Sequence, residues 1–495
     1  MECDVVIVGL GPVGAFMANL LHESGLSVVA FDREPGVVQS PRGVGIDGEI
    51  MRAVQAIGLT DELNPLLKVF RGAQYLDVDG QVVSTRPGVS GEGSQGWPDR
   101  YNVHQPDLES VLRSGIGQRA IDARNSHDVV SVVDEVDCAV VEAVNLTNGE
   151  RARVRGRFVV GCDGGRSFVR KIVGTQLDDF GLNEPWIVVD FAVKDSAELP
   201  EINTHYADPH EPVIYIHVVR DLRRFEFKAA PGEDLEAAVD PENIWRRVSR
   251  WLRPEEAELL RAVVYTHRAL VAETWTAGHV LLAGDAAHQT PPFLGQGLCT
   301  GVRDVISLCW RLRAIILEGA STGLLRSYES ERSEHARFFI RTATSLGAVL
   351  TDPDRTKLTE LNARIGREGS GEPPRLGAGV YSADGPAGGL LAPQPRLADG
   401  RRLDDLVGYR FGIVVSPSLA AQMSDDLRGL ISSRDWALIE ATGPAAEWLE
   451  ELGSGAAIVR PDRYYYSTAG DVDALSRQLR ELESTLFAGL DTVMR

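Results

Sequence analysis

The chain is poor in cysteine. Five (Cys3, Cys138, Cys162, Cys299 and Cys309) are spread along 495 residues, an odd number with no CxxC pair. That excludes a disulfide framework and suits a reducing cytoplasm. The ten histidines form no HExxH and no Cys/His cluster with zinc spacing, so no metal site is expected. No apolar run approaches the ~20 residues that a bilayer span needs. The start, Met1-Glu2-Cys3-Asp4, lacks the basic region of a signal peptide. These features predict a cytoplasmic protein with no membrane partner. Basic residues are also in deficit, 51 Lys+Arg against 71 Asp+Glu, which leaves a net charge of −20. The balance argues against a nucleic-acid partner. Wholesale disorder is excluded, because 43% of residues are hydrophobic.

Glycine is abundant: 50 residues, about a tenth of the chain against a usual ~7%. It is conformationally expensive, so the excess marks places where the backbone must approach something closely. Residues 4–8 form a short apolar run ending in glycines, read as a buried parallel strand. A helical pattern over 13–24 and a second strand over 27–31 complete a βαβ unit. Helices are expected over 49–57 and 107–118, and strands over 74–78, 81–85, 129–144 and 151–160. Between 186 and 228 the pattern changes to strands bearing aromatics (186–193, 213–219, 224–229), which reads as an inserted antiparallel sheet. Helices at 241–250 and 254–264, a strand at 280–284 and long helices to 350 should follow. Residues 366–400 are rich in Gly, Pro and Arg, with 369–374 and 385–395 the plainest linkers. The last hundred residues restart a βαβ-like pattern, with strands at 410–415, 436–440 and 455–459, and helices at 425–432, 445–452 and from 472.

Three glycine-rich stretches carry chemistry. Gly9-Leu10-Gly11-Pro12-Val13-Gly14 follows a strand and opens a helix, and Asp32 ends the next strand. Gly9 permits the tight turn, Gly11 lets backbone approach a pyrophosphate, and Gly14 lets helix and strand pack closely. The helix start offers free N–H groups to phosphate, and Asp32 can accept from a ribose. Gly43-Val44-Gly45-Ile46-Asp47-Gly48 fits the same pattern, but no strand precedes it and no acid follows at the right spacing. It reads as a loop and a helix start, with Arg42 either a phosphate contact or a surface arginine. The second stretch is Gly161-Cys162-Asp163-Gly164-Gly165-Arg166-Ser167, again after an apolar strand. The third, Gly284-Asp285-Ala286-Ala287-His288 through Pro291-Pro292 to Gly295-Gln296-Gly297, puts a carboxylate at a strand end. Asp285 can bond ribityl hydroxyls, and the N–H groups of 295–298 can face a negatively charged ring system.

These stretches, in this order, resemble the class A flavin-dependent aromatic hydroxylases typified by p-hydroxybenzoate hydroxylase. Within that group the chain is most similar to the 3-(3-hydroxyphenyl)propionate hydroxylase branch, through residues 41–47, 223–227 and 284–312. The resemblance implies an α/β fold. It consists of a Rossmann-like FAD-binding domain of the GR2 type, an inserted antiparallel-sheet substrate domain and a thioredoxin-like α/β tail. The implied bounds are 1–72, 101–180 and 268–385 for the FAD domain, 73–100 with 181–267 for the sheet, and 390–495 for the tail. No cysteine lies beyond Cys309, so the tail cannot exchange dithiols; packing or a homodimer contact is its implied role.

The resemblance also implies FAD as cofactor and NADPH or NADH as a transient donor. The FAD contacts carried over are Gly9, Gly11, Pro12, Gly14, Asp32, Arg33, Arg42, Gln105, Asp163, Gly164, Arg166, Gly284, Asp285, Pro292, Gly295, Gln296, Gly297 and Leu298. Cys299 stands where many relatives carry Asn. The implied reaction passes oxygen from a flavin C4a-hydroperoxide to a small aromatic substrate, with NAD(P)H and O2 as co-substrates. The substrate is a phenol such as a hydroxyphenylpropionate-like acid, hydroxylated ortho to its hydroxyl. Alternatives are a polycyclic natural-product phenol, a Baeyer–Villiger oxygenation on the same scaffold, or a flavin-binding protein without catalysis. A flavin halogenase is disfavoured because WxWxIP is absent. Tyr215, His217, Arg224 and Pro292 are the catalytic candidates. Tyr215 and His217 share one strand face and read equally as satisfied sheet residues, Arg224 as a surface or domain contact, and His288 as a loop hydrogen-bonder.

Overall fold

The computed structural model describes residues 1–39, 43–350, 352, 356–357, 359–360, 374–382 and 384–487. The N-terminal apolar run, strand Glu2–Val8, pairs in parallel with Val28–Phe31 on one side and Arg151–Gly161 on the other. Arg151–Gly161 pairs in parallel with Val280–Leu282. These strands are covered on both faces, which is why their central parts are nearly continuous runs of Val, Ile and Leu. The register sets Val8 opposite Gly161 and Gly161 opposite Leu282. The three strands therefore end level, and all three glycine-rich loops leave from one edge of the sheet. The hairpin of His127–Asp134 and Ala139–Asn145 extends the sheet. Helix Pro12–Glu23 begins on a proline at its first position and packs between Gln105–Gln118 and Gly297–Leu317.

A second, antiparallel-rich sheet runs in the order 288–289, 257–272, 177–193, 222–228, 213–217, 203–206, 72–76 and 82–87. It corrects one sequence expectation. Residues 254–264 are not a helix; most of them start strand Ala257–Ala272, which pairs with Leu177–Val193 along its whole length. Pro254-Glu255-Glu256 imitates a helix start, but Val263, Val264 and Thr266 favour a strand and a long partner strand decides the matter. The same two strands run unbroken across 180/181 and 267/268.

Alternation divides this sheet into two chemically different faces. Ile187, Val189, Phe191, Val213, Tyr215, Phe225 and Phe227 pack with Ile244 and Val248 of helix Pro241–Val248 in a separate core. Trp186, Ile214 and Ile216, on the opposite face, belong to the hydrophobic core of the first sheet. The cross-strand row Val188, Glu226, Ile214, His205 and Tyr75 shares that second face.

In the tail, Gly412–Val415 pairs in parallel with Ala437–Glu440 and antiparallel with Ala456–Val459, which continues to Tyr465–Ala469. The last of these strands had no counterpart in the sequence reading. The expected linker 385–395 is ordered: Leu391 bridges to Tyr464, and the Ala392 carbonyl accepts from Arg52. The other expected linker, 369–374, lies outside the described residues except for Pro374. Buried ion pairs fasten the tail. Arg52 grips Asp404 through two bonds of 2.6 and 2.9 Å, and Arg460 spans Glu331 and Asp462. Among the described residues no helix is long and apolar enough to cross a membrane.

Candidate active site

The three glycine-rich loops converge on one cleft. Gly9 has φ of +97°, and a side chain there would lie 2.6 Å from the Cys162 carbonyl oxygen and 2.9 Å from Asp163 Cα. The second loop therefore rests directly on the first. A methyl on Gly14 would lie 1.9 Å from the Gly9 carbonyl oxygen, so helix and turn touch there. Gly11 is the opposite case: nothing lies within 4 Å of where its side chain would be. The third loop closes the group, because a methyl on Gly301 would meet Val13 at 2.7 Å and Gly284 Cα at 3.1 Å.

Two helix starts face this cleft. Gly11 caps Pro12–Glu23 and Gln296 caps Gly297–Leu317, neither with a side-chain bond. Their unpaired first-turn N–H groups suit a pyrophosphate and an electron-rich ring. Asp163 uses one carboxylate oxygen to accept from Phe168 and Val169 N–H at 2.7 and 3.0 Å. Its other oxygen, Oδ1, is buried with no partner among the described residues. Open space at Gly11 and Gly164 and this orphaned oxygen are what a dinucleotide with hydroxyls and phosphates would fill. Arg170 ties the second loop to the third, donating to the carbonyls of Gly165 and Ala286 at 2.7 and 2.9 Å.

Asp32 stands at the end of its strand as expected, but it is not idle. It accepts from Leu10 N–H at 3.2 Å and from Arg113 at 2.7 Å. Arg113 is a partner of Asp32 that the sequence reading missed; its signal was the Glu109–Arg113 pair four residues apart on the expected helix. Gln105 accepts from Gly43 N–H at 2.8 Å and so holds the loop entering Gly45–Asp47. Arg33 and Arg166 are exposed beside the loops. Arg42 lies outside the described residues. Pro292 opens the short turn Pro292–Leu294, which ends at Gly295, and Leu298 lies against Gly43. The Gln296 side chain turns back, accepting from Arg303 at 2.8 Å. Burial pushes the Cys299 thiol up, so it stays protonated beside the Gly45 carbonyl.

Asp285 is half-buried on the short turn after Val280–Leu282. Beneath that turn sits a hub the sequence did not single out. Asp304 accepts from Gly284 N–H at 3.1 Å, from His288 Nε2 at 2.6 Å and from Arg332 at 3.0 Å. The alternative for His288, a loop hydrogen-bonder, matches this placement.

The catalytic candidates separate. Tyr215 is fully buried on the far face of the second sheet, and its hydroxyl donates to the Pro200 carbonyl at 2.9 Å. His217 shares that face. Its Nε2 lies 3.3 Å from the Arg220 carbonyl, and burial pushes its pKa down to about 4. The structure does not bring either of them to the cleft; strand alternation turns them away from it. Arg224 does face the cleft side, but as a bidentate partner of Asp190 at 2.7 and 3.0 Å, shared with Arg261. Next to it Glu226 is buried, which pushes its carboxyl up towards the neutral form. Trp186 reaches the third loop, its ring 5.5 Å from that of Phe293.

Comparison with known proteins agrees with this geometry. The family model described as FAD binding domain matches residues 2–343. The chain is 34% identical over 507 residues to a probable NADH-specific resorcinol 4-hydroxylase of Rhodococcus jostii, covering 97% of this chain and 94% of that one. It is 31% identical over 538 residues to a 3-(3-hydroxy-phenyl)propionate/3-hydroxycinnamic acid hydroxylase of Mycolicibacterium gilvum, covering 99% and 92%. The fold is similar to that of the flavin-dependent monooxygenase PieE, with a TM-score of 0.85 and 21% identity over 98% of both chains. It is also similar to aklavinone-11 hydroxylase, with a TM-score of 0.81 and 22% identity, covering 97% and 98%. The chain therefore belongs to the FAD binding domain family and is an FAD-dependent hydroxylase.

Proposed function

We propose that this hydroxylase adds oxygen to a phenolic ring, ortho to its hydroxyl, using NAD(P)H and O2. The observation that carries the reading is the meeting of two surfaces. The loop Pro292–Leu294, which leads into the second helix start, lies against the face of the inserted sheet that carries Trp186, through Phe293. Reduced flavin bound there supplies the chemistry that activates O2. The chain's own work is to hold the cofactor, orient the ring and exclude water. The glycines, Asp32, Gln105, Asp163 and Asp285 hold the dinucleotide, and the exposed Arg33 and Arg166 are offered to its phosphates. Trp186, Val188 and Ile214 are an apolar wall for the aromatic ring. Arg224 is a positioning residue here, keeping positive charge near the ring, which favours the phenolate form.

The relatives named above support a simple phenol or a hydroxyphenylpropionate-like acid as substrate. A thioredoxin-like assignment of the tail is supported by its parallel strand pair extended by two antiparallel strands. Its buried ion pairs support a packing role, and light scattering at two concentrations will test whether it also makes a homodimer. The reaction is tested by adding phenols to purified FAD-loaded protein with NADH or NADPH. Stimulated donor oxidation with a product heavier by one oxygen is expected. Donor oxidation that yields only H2O2 with every phenol would refute the reading.

A further inference from the structure

One side chain of the tail is linked to the second helix start. Tyr464 lies on the turn between strands Ala456–Val459 and Tyr465–Ala469. Its neighbour Arg463 has φ of +73°, rare for a residue with a side chain. Two contacts hold that conformation: Arg463 donates to the Gly408 carbonyl at 2.9 Å and pairs with Asp404 at 3.1 Å. The turn carries Tyr464 against the FAD-binding domain. Its hydroxyl lies 3.4 Å from Glu49 Oε1 and 3.5 Å from His335 Nε2, and all three residues are buried. From Glu49 the contacts run on to the cleft. Arg303 donates from Nε to Glu49 at 2.5 Å, from Nη2 to Asp47 at 2.5 Å and from Nη1 to Gln296 Oε1 at 2.8 Å. Gln296 caps Gly297–Leu317, whose first-turn N–H groups face the cleft. One guanidinium therefore joins the carboxylate that Tyr464 touches to the cap of that helix.

Bond counting gives the protons in this chain a direction. Burial pushes the Tyr464 phenol well up, so it keeps its hydrogen. Burial, then Arg332, Arg303 and His288, push His335 well down, so its ring is neutral and carries one N–H. The His335 Nδ1 is buried with no partner among the described residues. With the hydrogen on Nδ1, the Tyr464 hydroxyl makes one bond, to His335 or to Glu49. With the hydrogen on Nε2, two bonds form: His335 donates to Tyr464, and Tyr464 donates to Glu49. The second arrangement leaves fewer buried polar groups unpaired and is favoured. Burial pushes the Glu49 carboxyl up, Arg303 pulls it down and Asp47 pushes it up again. A hydrogen bond to the ionised form favours charge, so the Tyr464 hydroxyl joins Arg303 in keeping Glu49 negative.

We propose that Tyr464 is a positioning residue for the flavin. From the tail, it fixes the Glu49–Arg303–Gln296 chain at the start of Gly297–Leu317 and so sets the field that the bound ring meets. The tail thereby contributes to the redox centre as well as packing against it. The inference rests on FAD binding and not on which phenol is hydroxylated, and its test needs no turnover. Reduction adds negative charge to the flavin ring, so less negative charge nearby makes reduction easier and raises the midpoint potential.

The midpoint potential of bound FAD is measured in the full-length protein by dye-coupled reduction, alongside melts of FAD-free protein. Tyr464→Phe removes the hydroxyl and keeps the ring; it should raise the midpoint. Glu49→Gln removes the charge outright and should raise it at least as far. Tyr464→Phe combined with Glu49→Gln should lie no higher than Glu49→Gln alone, because the hydroxyl acts through that carboxylate. Leu449→Ala, in the tail's own core, is the control. It should lower the melting temperature and leave the midpoint at the wild-type value. A wild-type or lowered midpoint in Tyr464→Phe would overturn the proposal. So would a Tyr464→Phe shift that persists in full on top of Glu49→Gln, or a shift of the same size in Leu449→Ala. If Tyr464→Phe does not hold FAD, Glu49→Gln decides with the tail untouched: a raised midpoint supports the proposal, and an unchanged one overturns it.

Discussion

Gly11 and Gly14 stand three residues apart in one motif, and the structure predicts opposite consequences for the same added methyl. Gly11 has φ of −62° and ψ of −177°, backbone that alanine adopts without strain, and nothing lies within 4 Å of the new methyl. Gly11→Ala should therefore leave the stability of FAD-free protein within about 1 kcal/mol of wild type. The open space is where a pyrophosphate must come up to backbone N–H groups. Losing two charge-assisted bonds at ~1.5–3 kcal/mol each predicts a Kd for FAD raised by about 10²-fold or more. Gly14→Ala instead drives a methyl to 1.9 Å from the Gly9 carbonyl oxygen, where backbone must move. Overpacking of that kind costs about 1–3 kcal/mol or more, so this variant should melt early with or without FAD. Thermal melts of FAD-free protein together with fluorescence titration by FAD separate the two. Wild-type FAD affinity in Gly11→Ala, or wild-type stability in Gly14→Ala, would refute the reasoning.

Three further outcomes are expected. Tyr215→Phe removes the bond to the Pro200 carbonyl and the contact with Arg223, so it should cost about 1–2 kcal/mol of stability and leave kcat and the product unchanged. Steady-state kinetics check this, and a large fall in kcat would restore Tyr215 as catalytic. Asp304→Ala strips the buried Arg332 of its carboxylate and frees Gly284 N–H and His288. A loss of about 3–5 kcal/mol follows, seen in denaturant melts, together with weaker flavin retention. For Asp404, burial raises the carboxyl pKa, but Arg463 and Arg52 outweigh burial and hold it below the usual range. A depressed carboxylate stabilises fully above its unfolded value of ~3.9 and loses that contribution as pH falls through the lowered value. The tail should then loosen in acid, and Arg52→Gln should show a shallower acid limb in urea midpoints measured against pH.

The parallel strands and the three glycine-rich loops were legible because local rules govern them. A strand covered on both faces must be a continuous apolar run, and a phosphate turn must be glycine, so Val5–Val8 and Gly9–Gly14 announce themselves. The helix misread at 254–264 failed because Ala257–Ala272 draws its conformation from a distant partner, Leu177–Val193. Tyr215 and His217 were correctly placed on one strand face, but alternation does not say which face meets the cofactor. The separate core under Pro241–Val248 claims theirs. Glu226, His205 and Tyr75 lie across three further strands in one row. They are more than a hundred residues apart at the extremes, so no spacing rule could join them.

By itself, the sequence determined which cofactor this chain is built around, since close approach of backbone to phosphate leaves almost no choice of residue. It also determined that the tail cannot exchange dithiols, since no cysteine lies beyond Cys309. Only the tertiary structure decided what surrounds the glycine-rich loops. The Arg224–Asp190–Arg261 pairing and the buried hub at Asp304 are assembled by register and by packing between strands and helices distant in sequence. Burial, which sets whether Glu226, His205 and Tyr75 carry charge, exists only once those elements have closed on one another.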